Sequence, residues 1–255
     1  MVKMYSLRWF YLTNYNILMA DLDIKVIKPS KDKRRKPDPI IEPRELVPQT
    51  PFRIYVTSGS GSGKTNLIMH LLFYVYNCHF HKIYLIAGNY FDDDIYRVLD
   101  DIIPEEQVII DPDEITPVLE EIFDAQSEAV NKNRRVLIII DDHMLNIRNN
   151  KALQTILTRG RAKNISSIII NQKFKSADPT LRNNLTHVIF FKVNDKEIKH
   201  IHEEFGTELQ EDEFYKIYKM ATLPLEDEQK PFLLIDNTAK DQAHKYRRNL
   251  KLCLL

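Results

Sequence analysis

Two cysteines in 255 residues, Cys78 and Cys253, stand at neither metal-ligand nor disulfide-framework spacing, so a reducing compartment is expected. No apolar run approaches the roughly 18 residues of a membrane-spanning helix, so no span is expected. The aromatic-rich start is interrupted by Arg8, Thr13, Asn14 and Asn16, which makes a poor signal peptide, and Met19 offers an alternative start. His79 and His81, and His200 and His202, lack the further ligands that would complete a metal site, so structural roles are expected for them. Net charge is also missing: 36 basic residues balance 36 acidic ones. A neutral sum argues against a uniformly basic nucleic-acid binder, but the charges are segregated. Between His143 and Ala177 there is no acidic residue, while Arg148, Lys151, Arg159, Arg161, Lys163, Lys173 and Lys175 are all present. From Asp92 to Glu121 twelve carboxylates face Arg97 alone, and Lys25 to Lys36 holds seven basic residues with only Asp32. Such segregation suits one face toward a polyanion and another toward solvent or protein, although solvated faces alone would also produce it.

What the chain does have is a phosphate cradle. Ser58 to Thr65 read Ser-Gly-Ser-Gly-Ser-Gly-Lys-Thr, directly after the apolar run Phe52 to Val56 and before the helical pattern Asn66 to Leu72. Glycines let the backbone turn so that several N–H groups face one anion, and the helix start adds its positive end. Ser60, Gly61, Ser62, Gly63, Lys64, Thr65 and Asn66 are the expected nucleotide-binding residues. Lys64 would reach the β- and γ-phosphates of ATP, and the Thr65 hydroxyl would hold Mg²⁺. The usual pattern begins on glycine where this chain has Ser58. A flexible Gly/Ser linker is the bland alternative, and it would not end in Gly-Lys-Thr between a strand and an apolar helix.

The other half of the site is Val136 to Asp142, Val-Leu-Ile-Ile-Ile-Asp-Asp. Five aliphatic residues in a row fit a strand buried on both faces, with its carboxylates at the C-terminal end, where ligands bind in open α/β sheets. Asp141 is expected to hold Mg²⁺, and Asp142 to polarise the attacking water. Gln172 follows another apolar strand, where its amide can bond both the γ-phosphate and the lytic water. Arg159 and Arg161 flank Gly160 just before that strand and are candidates for a finger reaching a neighbouring subunit's γ-phosphate.

Periodicity divides the chain into an irregular, basic, proline-rich arm over residues 1–50, an ATPase core over 51–205 and a helical and strand extension over 206–255. In the core, strands are expected at 52–57, 82–87, 108–110, 135–141, 166–171 and 187–193. Helices are expected from 64 to about 77 and near 115–131 and 151–163, with an acidic helical stretch after 87. The alternation predicts an α/β fold with a mostly parallel sheet flanked by helices. A strand falls between the loop and the Asp-Asp strand in sequence, so those two need not be neighbours in the sheet. In the extension, helices are expected over 196–205 and 209–220 with Phe214, Ile217 and Tyr218 as core, and a strand over 232–236. The basic end from Lys245 to Lys251 is expected to be either a solvated tail or a contact for DNA or capsid protein.

The order Gly-Ser-Gly-Lys-Thr, Ile-Ile-Ile-Asp-Asp, Gly-Arg-Ala-Lys-Asn-Ile-Ser, Ile-Ile-Ile-Asn-Gln and Leu-Arg-Asn-Asn-Leu-Thr-His-Val-Ile-Phe-Phe resembles the FtsK–HerA superfamily of P-loop ATPases. Within it the likeness is to the genome-packaging ATPases of large double-stranded DNA viruses and virophages, and it covers residues 50 to about 205. The resemblance implies a RecA-like core and an ATP- and Mg²⁺-dependent motor that pulls double-stranded DNA into a capsid. It implies a homo-oligomeric ring of five or six subunits docked on capsid or vertex proteins, in the host cytoplasm, a viral factory or the virion. It also makes Arg161 the better aligned finger; Ala162 stands where relatives often carry His. A cellular or plasmid DNA pump or helicase of the same superfamily, or a non-motor P-loop nucleotide-binding protein, are the alternatives.

Overall fold

The computed structural model describes residues 46–250, except 58, 60, 92–95, 101, 142–149 and 225–229, and except the side chains of Arg97 and Ser176. Strand β1 (Arg53–Thr57) leads through the glycine loop into α1 (Lys64–His70), whose last turn, Leu71–Val75, is wound as a π-helix. Strand β2 (Lys82–Ala87) follows, then the 3₁₀ turn Tyr96–Leu99, β3 (Val108–Ile109) and helix α2 (Ile115–Ser127). Next come β4 (Val136–Asp141), α3 (Lys151–Arg159), the 3₁₀ turn Gly160–Lys163 and β5 (Ile165–Asn171). The short helix α4 (Pro179–Asn183), β6 (His187–Phe190), α5 (Asp195–Phe205) and α6 (Glu211–Thr222) complete the helical layers. Strand β7 (Leu233–Asp236), α7 (Gln242–Lys245) and β8 (Tyr246–Arg248) close the chain.

All eight strands form one sheet in the order β3-β2-β4-β5-β1-β6-β7-β8. The first six are parallel, and β7 and β8 are antiparallel additions at the β6 edge. β4 shows why the sheet is covered on both sides. Ile138 and Ile140 pack with α2, α3, α5 and α6, while Leu137 and Ile139 pack on the opposite face with α1 and Tyr96. A strand with a dry layer on each face needs apolar residues at every position, which is the run in the sequence. Among the described residues, no helix is long and apolar enough to cross a membrane.

The helices near 115–131 and 151–163 are each followed by a separate 3₁₀ turn, and the described residues of the acidic helical stretch form the 3₁₀ turns Tyr96–Leu99, Glu105–Gln107 and Pro112–Glu114. Phe214, Ile217 and Tyr218 are buried as expected. His79 bonds Thr50 Oγ1, His81 accepts from the Arg135 amide, and no metal-ligating cluster occurs among the described residues. Residues 206 onward supply β7 and β8 to the shared sheet. Arg247 is neither a solvated tail nor a docking residue: it is 1% exposed, paired with Asp236 and bonded to the carbonyls of Leu46 and His244. Side chains alternate along β8 and both of its faces are covered there: Tyr246 packs against Phe214 of α6, and Arg247 turns to the other side, toward Leu46.

Candidate active site

β1 delivers the chain to the C-terminal edge of the sheet, where it must reverse into α1. Gly61 and Gly63 make that reversal at φ +69° and +98°, conformations that a side chain strains. A turn of this kind is suited to present amides to one anion, and the Gly63 carbonyl accepts from the Leu67 amide to start α1. Lys64 folds back across the loop, its Nζ 2.9 Å from the Gly59 carbonyl. Thr65 and Asn66 follow in the first helical turn, where amides have no intrahelical acceptor. Backbone donors, a lysine and a hydroxyl at one turn are the donor set a triphosphate with a divalent cation requires, so the residues present fit both.

Register brings the other predicted groups to the same edge. Thr57 pairs with Asn171, so Gln172 leaves β5 beside the start of the loop, and Asp141 pairs with Ile170 on the far side of β5. With strands about 4.8 Å apart, the Asp141 and Thr57 backbones lie about 10 Å from each other. Asp141 is 8% exposed, and Gln172 is exposed with its backbone N–H donating to Asn171 Oδ1. Tyr96, stacked on Tyr90 at 5.7 Å, donates its hydroxyl to Asp141 Oδ2. Burial, then the hydrogen bond to Asp100, raises the Tyr90 phenol, so Tyr90 remains a protonated donor. Sequence reasoning missed Tyr96, and no local pattern marks it, since the contact spans 45 residues. Ser58, Ser60 and Asp142 lie outside the described residues.

Arg159 and Arg161 are placed elsewhere. Both are exposed on the turn that precedes β5, at the N-terminal edge of the sheet. The seven residues of β5 separate them from Gln172, about 23 Å of extended chain. They line a cleft of about 880 Å³ with Phe123, Ser127, Thr158 and Lys163. Gln126 steadies this turn by donating to the Arg134 and Lys163 carbonyls at 2.9 and 2.8 Å. Burial, and then repulsion by Arg161, holds the Arg53 guanidinium below its ordinary value. Within one chain neither arginine reaches the glycine loop.

β5, which leads into Gln172, lies between the loop strand and the acid strand, and with the glycine loop at the same edge the chain has the fold of a P-loop NTPase. The sequence profile described as Poxvirus A32 protein matches residues 43–246, and the chain belongs to that family. Among solved structures, it is similar to the genome packaging NTPase B204 from Sulfolobus turreted icosahedral virus 2 in complex with ATP-gammaS. That likeness has a TM-score of 0.55 at 15% identity over 80% of this chain and 100% of that one. B204 from Sulfolobus Turreted Icosahedral Virus gives 0.55 at 18% identity over 78% and 96%. EssC (ATPases 2 and 3) from Geobacillus thermodenitrificans gives 0.51 at 14% identity, over 80% of this chain and 40% of that one. At these identities the likeness is one of fold. No curated protein sequence matches the chain significantly.

Proposed function

We propose that the protein is an ATP-driven translocase that moves viral double-stranded DNA into a capsid, acting as a homo-oligomeric ring in the infected cell. The observation that carries this reading is the convergence of the glycine loop, Asp141 and Gln172 on one sheet edge, in a member of the poxvirus A32 family. The loop amides, Lys64 and Asn66 bind the triphosphate; Thr65 and Asp141 hold Mg²⁺, which when bound neutralises charge on the β- and γ-phosphates. Asp142 polarises the attacking water, and Gln172 bonds the γ-phosphate and that water, sensing whether ATP is intact. Arg161, or Arg159 beside it, reaches the site of the next subunit. Their position at the opposite edge supports action across an interface, since a head-to-tail ring sets one subunit's far edge against its neighbour's near edge. DNA contact goes to phosphates, through basic loops such as the exposed Lys173 and Lys175 flanking buried Phe174. A ring multiplies a few cations per subunit, which reconciles a neutral chain with a polyanionic partner.

Hydrolysis measured with and without duplex DNA tests the reading: turnover should rise with duplex and with assembly. DNA-independent turnover by a monomer would count against a motor. Strand displacement would turn the assignment toward a helicase, and phosphate transfer to a nucleoside or nucleotide would turn it toward a kinase.

Tyr96 provides a sharper check on the metal site. Removing the hydroxyl that orients a carboxylate ligand weakens metal affinity by about tenfold in comparable sites. Tyr96→Phe, which keeps the ring stacked on Tyr90, should therefore raise the Mg²⁺ concentration needed for half-maximal ATP binding about tenfold. An unchanged titration would remove Tyr96 from the site.

A further inference from the structure

A second lysine meets the glycine loop from the far end of the chain. Lys230 Nζ lies 2.8 Å from the Gly61 carbonyl, a contact spanning 169 residues. Its stem runs along the loop: a Cβ added at Gly63 would sit 2.9 Å from Lys230 Cδ and 3.4 Å from its Cβ. Gly63 is required by its positive φ, and its missing side chain leaves room for the lysine stem. Lys230 is held in place by its neighbour Phe232, which is fully buried and 5.2 Å from the Phe191 ring. The Phe232 amide donates to Asn249 Oδ1 at 3.0 Å, and its carbonyl accepts from the Asn249 amide at 2.9 Å. Pro231 between them restricts the chain further.

The phosphate-binding amides of such a loop face the anion and their carbonyls face away. In a trans peptide the Gly61 carbonyl points opposite to the Ser62 N–H, so Lys230 stands behind that donor; Lys64, at the start of α1, would exchange the Gly59 carbonyl for phosphate when nucleotide binds. Lys230 acts in two ways there. It fixes the peptide between Gly61 and Ser62, and its charge on that peptide's oxygen polarises the peptide so that the Ser62 N–H becomes a stronger donor. We propose that Lys230 is a positioning residue, bracing the glycine loop from outside so that its amides are set for a triphosphate. The inference rests on the loop being the nucleotide site.

Titration calorimetry with ATPγS and Mg²⁺ separates the two. Lys230→Ala should bind about fivefold more weakly, the effect of one lost charge-assisted bond at an exposed position. The KM for ATP should rise by the same factor, with kcat within about twofold, because Lys230 touches no reacting atom. Lys230→Met, which keeps the stem, should be as weak as Lys230→Ala, whereas Lys230→Arg should recover most of the affinity. The loss should be larger for ATP than for AMP, a difference that general loosening of the fold would not produce. Wild-type affinity in Lys230→Ala or Lys230→Met, beside lost binding in Lys64→Ala, would overturn the brace alone. Wild-type affinity in Lys64→Ala would overturn the nucleotide site beneath it.

Discussion

ATP turnover should fall about a thousandfold in Lys64→Ala and again in Arg161→Ala, and should partly return when the two inactive proteins are mixed. Lys64 sits on the loop at one edge of the sheet and Arg161 on a turn at the other, with all of β5 between them. In the proposed ring, each variant removes a different half of a site shared by two subunits. In a randomly mixed ring, about a quarter of interfaces join an intact Lys64 to an intact Arg161. Turnover near that fraction of wild type supports the shared site. No recovery, with assembly intact by mass measurement, would remove Arg161 as the finger. Recovery with Arg159→Ala in its place would move the role to Arg159.

The largest stability effect is expected at Arg247. Its guanidinium pairs with Asp236 and bonds the carbonyls of His244 and Leu46, tying β8, β7 and the entry to the core together. His187, 3% exposed, completes the cluster 3.3 Å from Asp236. Arg247→Ala leaves the Asp236 carboxylate buried without its cation and should lower the unfolding free energy by about 3–5 kcal/mol in denaturant titrations. The Arg247→Met, Asp236→Leu double variant removes both charges and should lose far less than the sum of its single changes. A loss under about 1 kcal/mol in Arg247→Ala would show that the pair carries little of the fold's stability.

The same cluster sets an acid limit. Burial outweighs the Asp236 carboxylate at His187 and holds its pKa below the ordinary 6.5. The folded state then binds fewer protons there than the unfolded chain, so stability falls as pH drops below about 6.5. At Asp236 burial alone would raise the carboxyl, but bonds and charge from His187, the Thr238 bond and Arg247 hold it far below its usual range. Its contribution is present above the unfolded carboxylate value and is lost at still lower pH, as the folded group protonates. Wild-type protein should show both losses in sequence, and Arg247→Ala should be unstable across the whole range.

Local chemistry made much of the active site legible. Glycines, Lys64 and Thr65 stand together because one turn must supply them. Asp141 is readable because a strand dry on both faces has to be apolar until it leaves the sheet. Gln172 follows from the same rule applied to β5. The parallel strands were read to within a residue at most ends, since a buried strand leaves few polar positions to confuse them, but β6 stops at Phe190 rather than 193 and β8 was not expected. Helix ends were read less well: α2 stops at Ser127, where Glu128 is extended before a separate 3₁₀ turn, and the last turn after α3 tightens into 3₁₀ geometry, where propensity is indifferent and packing decides.

The basic end was the instructive case. Tyr246-Arg247-Arg248 reads as a charged surface segment, and an arginine is buried only where a partner awaits it. That partner, Asp236, belongs to another strand. Lys230 and Tyr96 are of the same kind: each is unremarkable in its own neighbourhood and matters through a contact 169 or 45 residues away.

By itself, then, the chain's order of residues determined the chemistry of each strand end, because backbone turns and strand burial are local constraints met within a few positions. Only the tertiary structure decided which ends share an edge, that the arginines lie at the opposite one, and that Arg247 faces inward. Sheet order, register and side-chain direction are set by long-range packing, which no short stretch of sequence records.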